Sequence, residues 1–198
     1  MYTTAEVKIR GIRPLIFNLF TVESIPLTKV AKAGVAGNNP DEWKKSFSIT
    51  DENQLYLESR HIFGCLRAGG KFIPKSRGTL ESDVSATLQV NSERLLLNRF
   101  IDSLENVSKD PNNLVYVDVR PVARRGVKNI RYRLATSPGW ETDFQICWDS
   151  TLISAQQMES VCIEAGAFAG LGDARKIGFG RFEVLQFKVY DVNETLHA

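Results

Sequence analysis

The chain has 198 residues, 43% hydrophobic and 24% charged, a balance that excludes disordered and fibrous classes and suits one domain with one core. A net charge of +2 argues for no partner by itself, and three cysteines without a C-x-x-C pair, with only His61 and His197 as imidazoles, argue against a disulfide framework, a metal site or another cofactor. No apolar run of about 18 residues marks a membrane span, and residues 1–10 lack the apolar stretch of a secretory signal, so a cytoplasmic protein with no membrane contact is expected.

Residues 5–17 (AEVKIRGIRPLIF) mix alternation with β-branched side chains and read as a strand bent or bulged near Gly11 and Pro14. Residues 20–45 are poorly patterned and carry Gly34, Gly37, Asn38, Asn39 and Pro40, the mark of an inserted loop (about 20–50) with a short helical turn at 41–46. A short strand over 54–57 precedes a first helix that Ser59 can cap, with Ile62, Phe63 and Leu66 on one face and an end near Gly69 and Gly70. Residues 75–113 read as a second insertion, flexible over KSRGTLESD and then an amphipathic helix carrying Leu95, Leu96, Ile101 and Leu104.

Residues 114–122 and 130–135 alternate and flank the turn VARRGVKN, a hairpin signature. Residues 140–148 (WETDFQICW) put Trp140, Phe144, Ile146 and Trp148 on one face of a further strand. Ser154 can cap a helix to residue 168 with Met158, Val161, Cys162, Ala165 and Phe168 at helical spacing, and residues 181–190 form the last strand. The order β-α-β-β-α-β with two insertions predicts an α+β domain of ferredoxin-like type: an antiparallel sheet with helices on one face.

Charge is unevenly spread. Residues 59–80 hold Arg60, His61, Arg67, Lys71, Lys75 and Arg77 and no acid, and residues 119–140 hold Arg120, Arg124, Arg125, Lys128, Arg131 and Arg133 and again no acid. Carboxylates such as Glu81, Asp83, Glu93 and Asp118 lie outside, so a basic face is expected, although a charge run is often only a solvated surface.

Residues 170–181 read G-L-G-D-A-R-K-I-G-F-G-R. Gly170, Gly172, Gly178 and Gly180 permit positive φ and close backbone approach, a way of presenting N–H groups to phosphate, and Arg175, Lys176 and Arg181 add charge. No G-K-[ST] closes a P-loop, and a dinucleotide fingerprint would run from strand to helix, the reverse of the order here. A tight helix-to-strand connection without ligand is the plain alternative.

The four glycines fit the G-x-G-x-x-x-x-x-G-x-G loop that precedes the last strand in the RAMP (repeat-associated mysterious protein) superfamily of CRISPR-associated proteins, and S-R-H-I-F-G-C-L-R (59–67) is similar to that superfamily's first helix. The overall pattern resembles the backbone subunit of CRISPR effector complexes and stand-alone proteins of that shape in phage and mobile-element genomes. The resemblance implies a modified RNA-recognition-motif fold with a protruding hairpin. It also implies single-stranded RNA held by the first helix and glycine loop, and head-to-tail polymerisation along the strand, with other CRISPR subunits as further partners.

On this reading Arg60, His61, Arg67, Lys71, Lys75 and Arg77, with Gly170, Gly172 and residues 175–181 (Arg175, Lys176, Gly178, Phe179, Gly180, Arg181), line a groove, while Arg124, Arg125, Lys128 and Arg131 clamp or separate nucleotides. The expected function is non-catalytic, largely sequence-independent binding of single strands, with RNA favoured over DNA. Two alternatives stand beside it: a metal-independent RAMP-type endoribonuclease using His61, and a phage-encoded mimic that interferes with a CRISPR complex. Cleavage needs a general base and a general acid, and a helix-start histidine more often bonds locally or touches phosphate. Asp41, Asp51 and Asp83 are candidates for divalent-ion cleavage, but isolated loop acids are usually just solvated. Tyr132, Phe179 and Phe182 are candidates for base stacking, although aromatics alternating in strands are more often core.

Overall fold

The structure, a computed structural model, describes residues 1–19, 39–124 and 127–191, with backbone alone at 123, 124, 127, 128 and 191. Its centre is β1 (Tyr2–Gly11), whose alternation puts Ala5, Val7 and Ile9 wholly inside and Glu6, Lys8 and Arg10 outside. On one side β1 pairs antiparallel with β10 (Phe182–Asp191), on the other with β9 (Glu141–Asp149), and β5 (Gln89–Val90) pairs with the far edge of β9. The resulting sheet has the order β10-β1-β9-β5. Two helices pack into the same core, α1 (Ser59–Gly69) and α3 (Ala155–Glu164), the latter widening into a π-helical turn at Ala165–Ala169. The mixed α+β architecture with antiparallel sheets is compatible with a ferredoxin-like fold.

The apolar faces read from sequence meet here. Ile62, Cys65 and Leu66 of α1, Met158, Val161 and Cys162 of α3, and Phe144, Ile146 and Trp148 of β9 belong to one buried cluster. Gly69 lets the helices approach: a β-carbon there would lie 2.6 Å from the Val161 carbonyl oxygen. Trp140 fills the space above Gly11 and donates from Nε1 to the Arg13 carbonyl at 2.9 Å, and Trp148 donates from Nε1 to the Ile153 carbonyl at 2.8 Å, so both of these indole N–H groups have acceptors. Ser154 caps α3 in a capping box with Gln157, as its sequence predicts. Ser59 does not cap α1. It is the first helical residue, and Glu58 occupies the cap position with no side-chain bond.

Two small sheets flank the main one. β2 (Leu15–Ile16) joins β8 (Val127–Thr136), which pairs with β7 (Val115–Arg124) over the whole hairpin register. β3 (Ser48–Ile49) joins β4 (Gln54–Glu58), which pairs with β6 (Arg94–Phe100). The stretch 5–17 is therefore two strands in two sheets, broken between Gly11 and Leu15.

Residues 94–100 form a strand instead of the expected helix. Leu95, Leu97 and Arg99 point inward and Leu96 and Phe100 outward, because β4 offers a free edge and the run R-L-L-L-N-R-F satisfies period two as well as helical spacing. α2 (Glu81–Thr87) forms where a flexible stretch was expected, and it leads directly into β5. The outer strand of the main sheet thus lies inside the segment read as the second insertion. Of the first insertion, residues 20–38 lie outside the described residues, while Glu42–Lys45 make the expected short turn as a 3-10 helix. No helix among the described residues is long and apolar enough to cross a membrane.

Candidate nucleic-acid interface

The glycine loop between the π turn and β10 is held mainly by backbone. Leu171 N–H donates to the Gly180 carbonyl at 2.9 Å, closing the loop on itself; Asp173 N–H reaches Ile16 at 2.8 Å and Gly180 N–H reaches Pro14 at 2.8 Å. Such approach requires glycine. Gly170, Gly172, Gly178 and Gly180 all have φ between 68° and 91°, and a β-carbon at Gly180 or Gly172 would overlap the carbonyl oxygen of Leu171 or Ile16. These bonds correct the phosphate-cradle expectation in part: the N–H groups of Gly170, Leu171, Asp173, Ala174, Ile177, Gly178 and Gly180 already donate within the loop and its neighbours. The loop also offers outward the side chains of Arg175 and Lys176, exposed and without an ion-pair partner among the described residues.

The loop lies between α1 and the β7–β8 hairpin. On the α1 side a cleft of about 100 Å³ is lined by Asn18, Leu19, His61, Gly172 and Asp173. Burial pushes the His61 pKa below its ordinary value; the Glu58 carbonyl, 3.1 Å from Nδ1, opposes this, and the charges of Arg60 and Arg175 reinforce it. The Cys65 thiol, sealed beneath and pushed up to about 12 by burial, feels Arg175 and Arg181 in the opposite sense, which puts both cations near the middle of α1. Arg181 Nη1 is buried without a hydrogen-bond partner.

On the hairpin side, Arg133 Nη1 of β8 donates to Asp173 Oδ2 at 3.0 Å, and the Arg120 guanidinium of β7 lies 4.3 Å from the Phe179 ring centroid. Asp118 pairs with Arg120, and its hydrogen bond is the main reason the Arg120 pKa is raised. Phe179 is thus half-buried with a cation on one face, and Phe182, the other stacking candidate in this region, is a core residue at 3% exposure. Tyr132 of β8, with Lys109 5.9 Å from its ring, packs against the core.

The remaining sequence-predicted cations divide. Arg60 sits beside His61 and pairs with Glu58 at 2.7 Å, both side chains exposed, so the pair is weak. Arg67 and Lys71 share Glu81 of α2 at 4.0 and 3.4 Å, and Lys75 binds both oxygens of Asp83 at 2.8 and 2.6 Å. These three and exposed Arg77 run from the C-terminal half of α1 onward, Arg67 lying seven residues, two turns or about 10 Å, from Arg60 on the same helix face. Arg131 is bound to Glu42 at 2.8 Å. Arg124 and Lys128 lie on the paired ends of the hairpin strands, Arg125 lies outside the described residues with His197, and nothing is assigned to these side chains.

Sequence reading missed Asp173, Asn18 and the partner role of Arg133. The signal for Asp173 was visible, since it is the one carboxylate in the glycine loop. Among the described residues no three or more His, Cys, Asp or Glu side chains are grouped to hold a metal ion. Asp41 pairs with Lys44 and Asp83 with Lys75.

No family model matches the chain, and no curated protein matches it. Among solved structures it is similar to a chain of the cryo-EM structure of the Type III-B Cmr-beta bound to cognate target RNA, with a TM-score of 0.54 and 16% identity. The match covers 96% of this chain and 61% of that one. At this identity the likeness is one of fold alone.

Proposed function

We propose that the chain is a non-catalytic RAMP-like protein that holds single-stranded nucleic acid, RNA in preference to DNA, by its backbone. It does so in repeated copies along the strand, as a CRISPR effector backbone-like subunit. The observation that carries this reading is the convergence at the glycine loop. The start of α1 with Arg60 and His61 lies on one side, the hairpin with Arg120 and Arg133 on the other, and exposed Arg175 and Lys176 between them.

Two exposed cations without carboxylate partners, Arg175 and Lys176, supply attraction for phosphate without reading bases, and Arg181, whose Nη1 is buried, adds charge from beneath. Cations already tied to carboxylates, Arg60, Arg67, Lys71, Lys75 and Arg131, contribute less, because binding phosphate would first break those pairs. The fold likeness to a chain of an RNA-bound assembly supports the choice of ligand.

The test is a gel-shift series with labelled homopolymeric single strands and a mixed-sequence duplex, each sample also run on a denaturing gel. The proposal expects similar affinity for all single-stranded RNA sequences, ladders of discrete shifted species as strand length grows, and intact RNA. Cleavage products that vanish with His61→Ala would replace this reading with the endoribonuclease one.

A further inference from the structure

The cleft beside the exposed cations has chemistry opposite to theirs. Its walls hold a carboxylate, Asp173, and a histidine, so a phosphate oxygen is repelled there while Arg60 and Arg175 attract it nearby. At about 100 Å³ it has room for roughly three waters, enough for a sugar hydroxyl and its neighbours but not for a base.

His61 and Asp173 are fixed as acceptors, while the third polar side chain of the lining, Asn18, carries both a donor and an acceptor. His61 Nδ1 lies 3.1 Å from the Glu58 carbonyl oxygen, which can only accept, so Nδ1 carries the proton and Nε2 keeps its lone pair. Burial, which lowers the His61 pKa, keeps the ring in that neutral form near pH 7. Asp173 is held at both oxygens, Oδ1 accepting from Ala174 N–H at 2.6 Å and Oδ2 from Arg133 Nη1 at 3.0 Å, and each oxygen has a further lone pair. Two positioned acceptors need a donor. Phosphates and deoxyribose within a strand offer only acceptors, whereas ribose carries a 2′-hydroxyl that donates.

We infer that the cleft between His61 and Asp173 receives a ribose 2′-hydroxyl and is the element by which this protein distinguishes RNA from DNA. The inference rests on the nucleic-acid-binding reading and specifies the ligand class of the same surface. The phosphates lie outside, on Arg175 and Lys176, and the hydroxyl proton is directed to Nε2 or the carboxylate.

The experiment compares three short strands of one sequence by fluorescence anisotropy: RNA, its 2′-fluoro analogue, which keeps an RNA-like sugar pucker but has no donor, and DNA. Wild type is expected to bind RNA about tenfold more tightly than 2′-fluoro RNA. In His61→Ala that gap should close through loss of RNA affinity alone, and unchanged 2′-fluoro binding shows that the variant is folded. Equal wild-type affinity for RNA and 2′-fluoro RNA would overturn the inference while leaving strand binding in place. Failure to bind any of the three at low salt would overturn the parent reading and this inference with it.

Discussion

Arg133 and Asp173 form an ion pair, 3.0 Å from Nη1 to Oδ2, that fastens the glycine loop to the β7–β8 hairpin. The arginine side chain is 9% exposed and the aspartate 32% exposed, so truncating the acid strands a buried guanidinium whose Nε already lacks a partner. Asp173→Ala is expected to lower stability by about 2–3 kcal/mol, below the usual loss for a fully buried pair because water reaches the acid's side. Urea unfolding measures it, and an unchanged midpoint would mean that the loop is held by its backbone bonds alone.

The four loop glycines are not equivalent. Gly178 has a φ of 91° but open space where a β-carbon would go, so Gly178→Ala should cost about 1–2 kcal/mol from backbone strain. At Gly180 the added carbon meets the Leu171 carbonyl oxygen, main chain of a buried residue, and Gly180→Ala should cost about 4 kcal/mol or more. Thermal unfolding of the two variants side by side should give this order; the reverse order would contradict the packing described for the loop.

His61 makes stability depend on pH. Its native pKa lies below the ordinary value of 6.5, chiefly through burial, so the unfolded chain binds a proton over a range where the native protein does not. Stability from this source is intact above about pH 6.5 and falls as pH drops from there toward the lowered native pKa, below which both states are protonated and the slope vanishes. His61→Gln removes that proton uptake. The wild type should lose more stability than the variant between pH 7.5 and 5.5 in urea titrations, and parallel losses would show that the ring is not buried enough to matter.

On the proposed reading, exposed Arg175 and Lys176 carry phosphate contacts on the loop. Replacing both with alanine should weaken binding of every single-stranded sequence to a similar degree and flatten the salt dependence by about 1.4 in slope, at roughly 0.7 per phosphate contact on single strands. Loss confined to one sequence would point to base readout instead.

Much of this was legible in the chain because it is local. The W-E-T-D-F-Q-I-C-W alternation places Trp140, Phe144, Ile146 and Trp148 inside, and Ser154 caps α3 where the sequence puts its start. The hairpin was visible because a basic turn separates two alternating runs. What escaped depends on distant partners. Leu95, Leu96 and Leu97 suit helix or strand until β4 supplies an edge, and β5 is too short to show a period at all. The basic blocks looked free because their acids stand just outside them or far away in sequence: Glu58, Glu81 and Asp83 in the first case, Glu42 and Asp173 in the second. Composition shows which charges exist, and only the fold shows which are already satisfied.

The most direct test of the phosphate-binding account is the affinity of wild type for a short single-stranded RNA, measured from 50 to 200 mM salt. The account predicts tight binding at the low end and a logarithmic slope of about −1.4 to −2, the contribution of phosphates on Arg175 and Lys176 with a third on Arg60 where it leaves Glu58. No binding at 50 mM, or an affinity indifferent to salt, would contradict it.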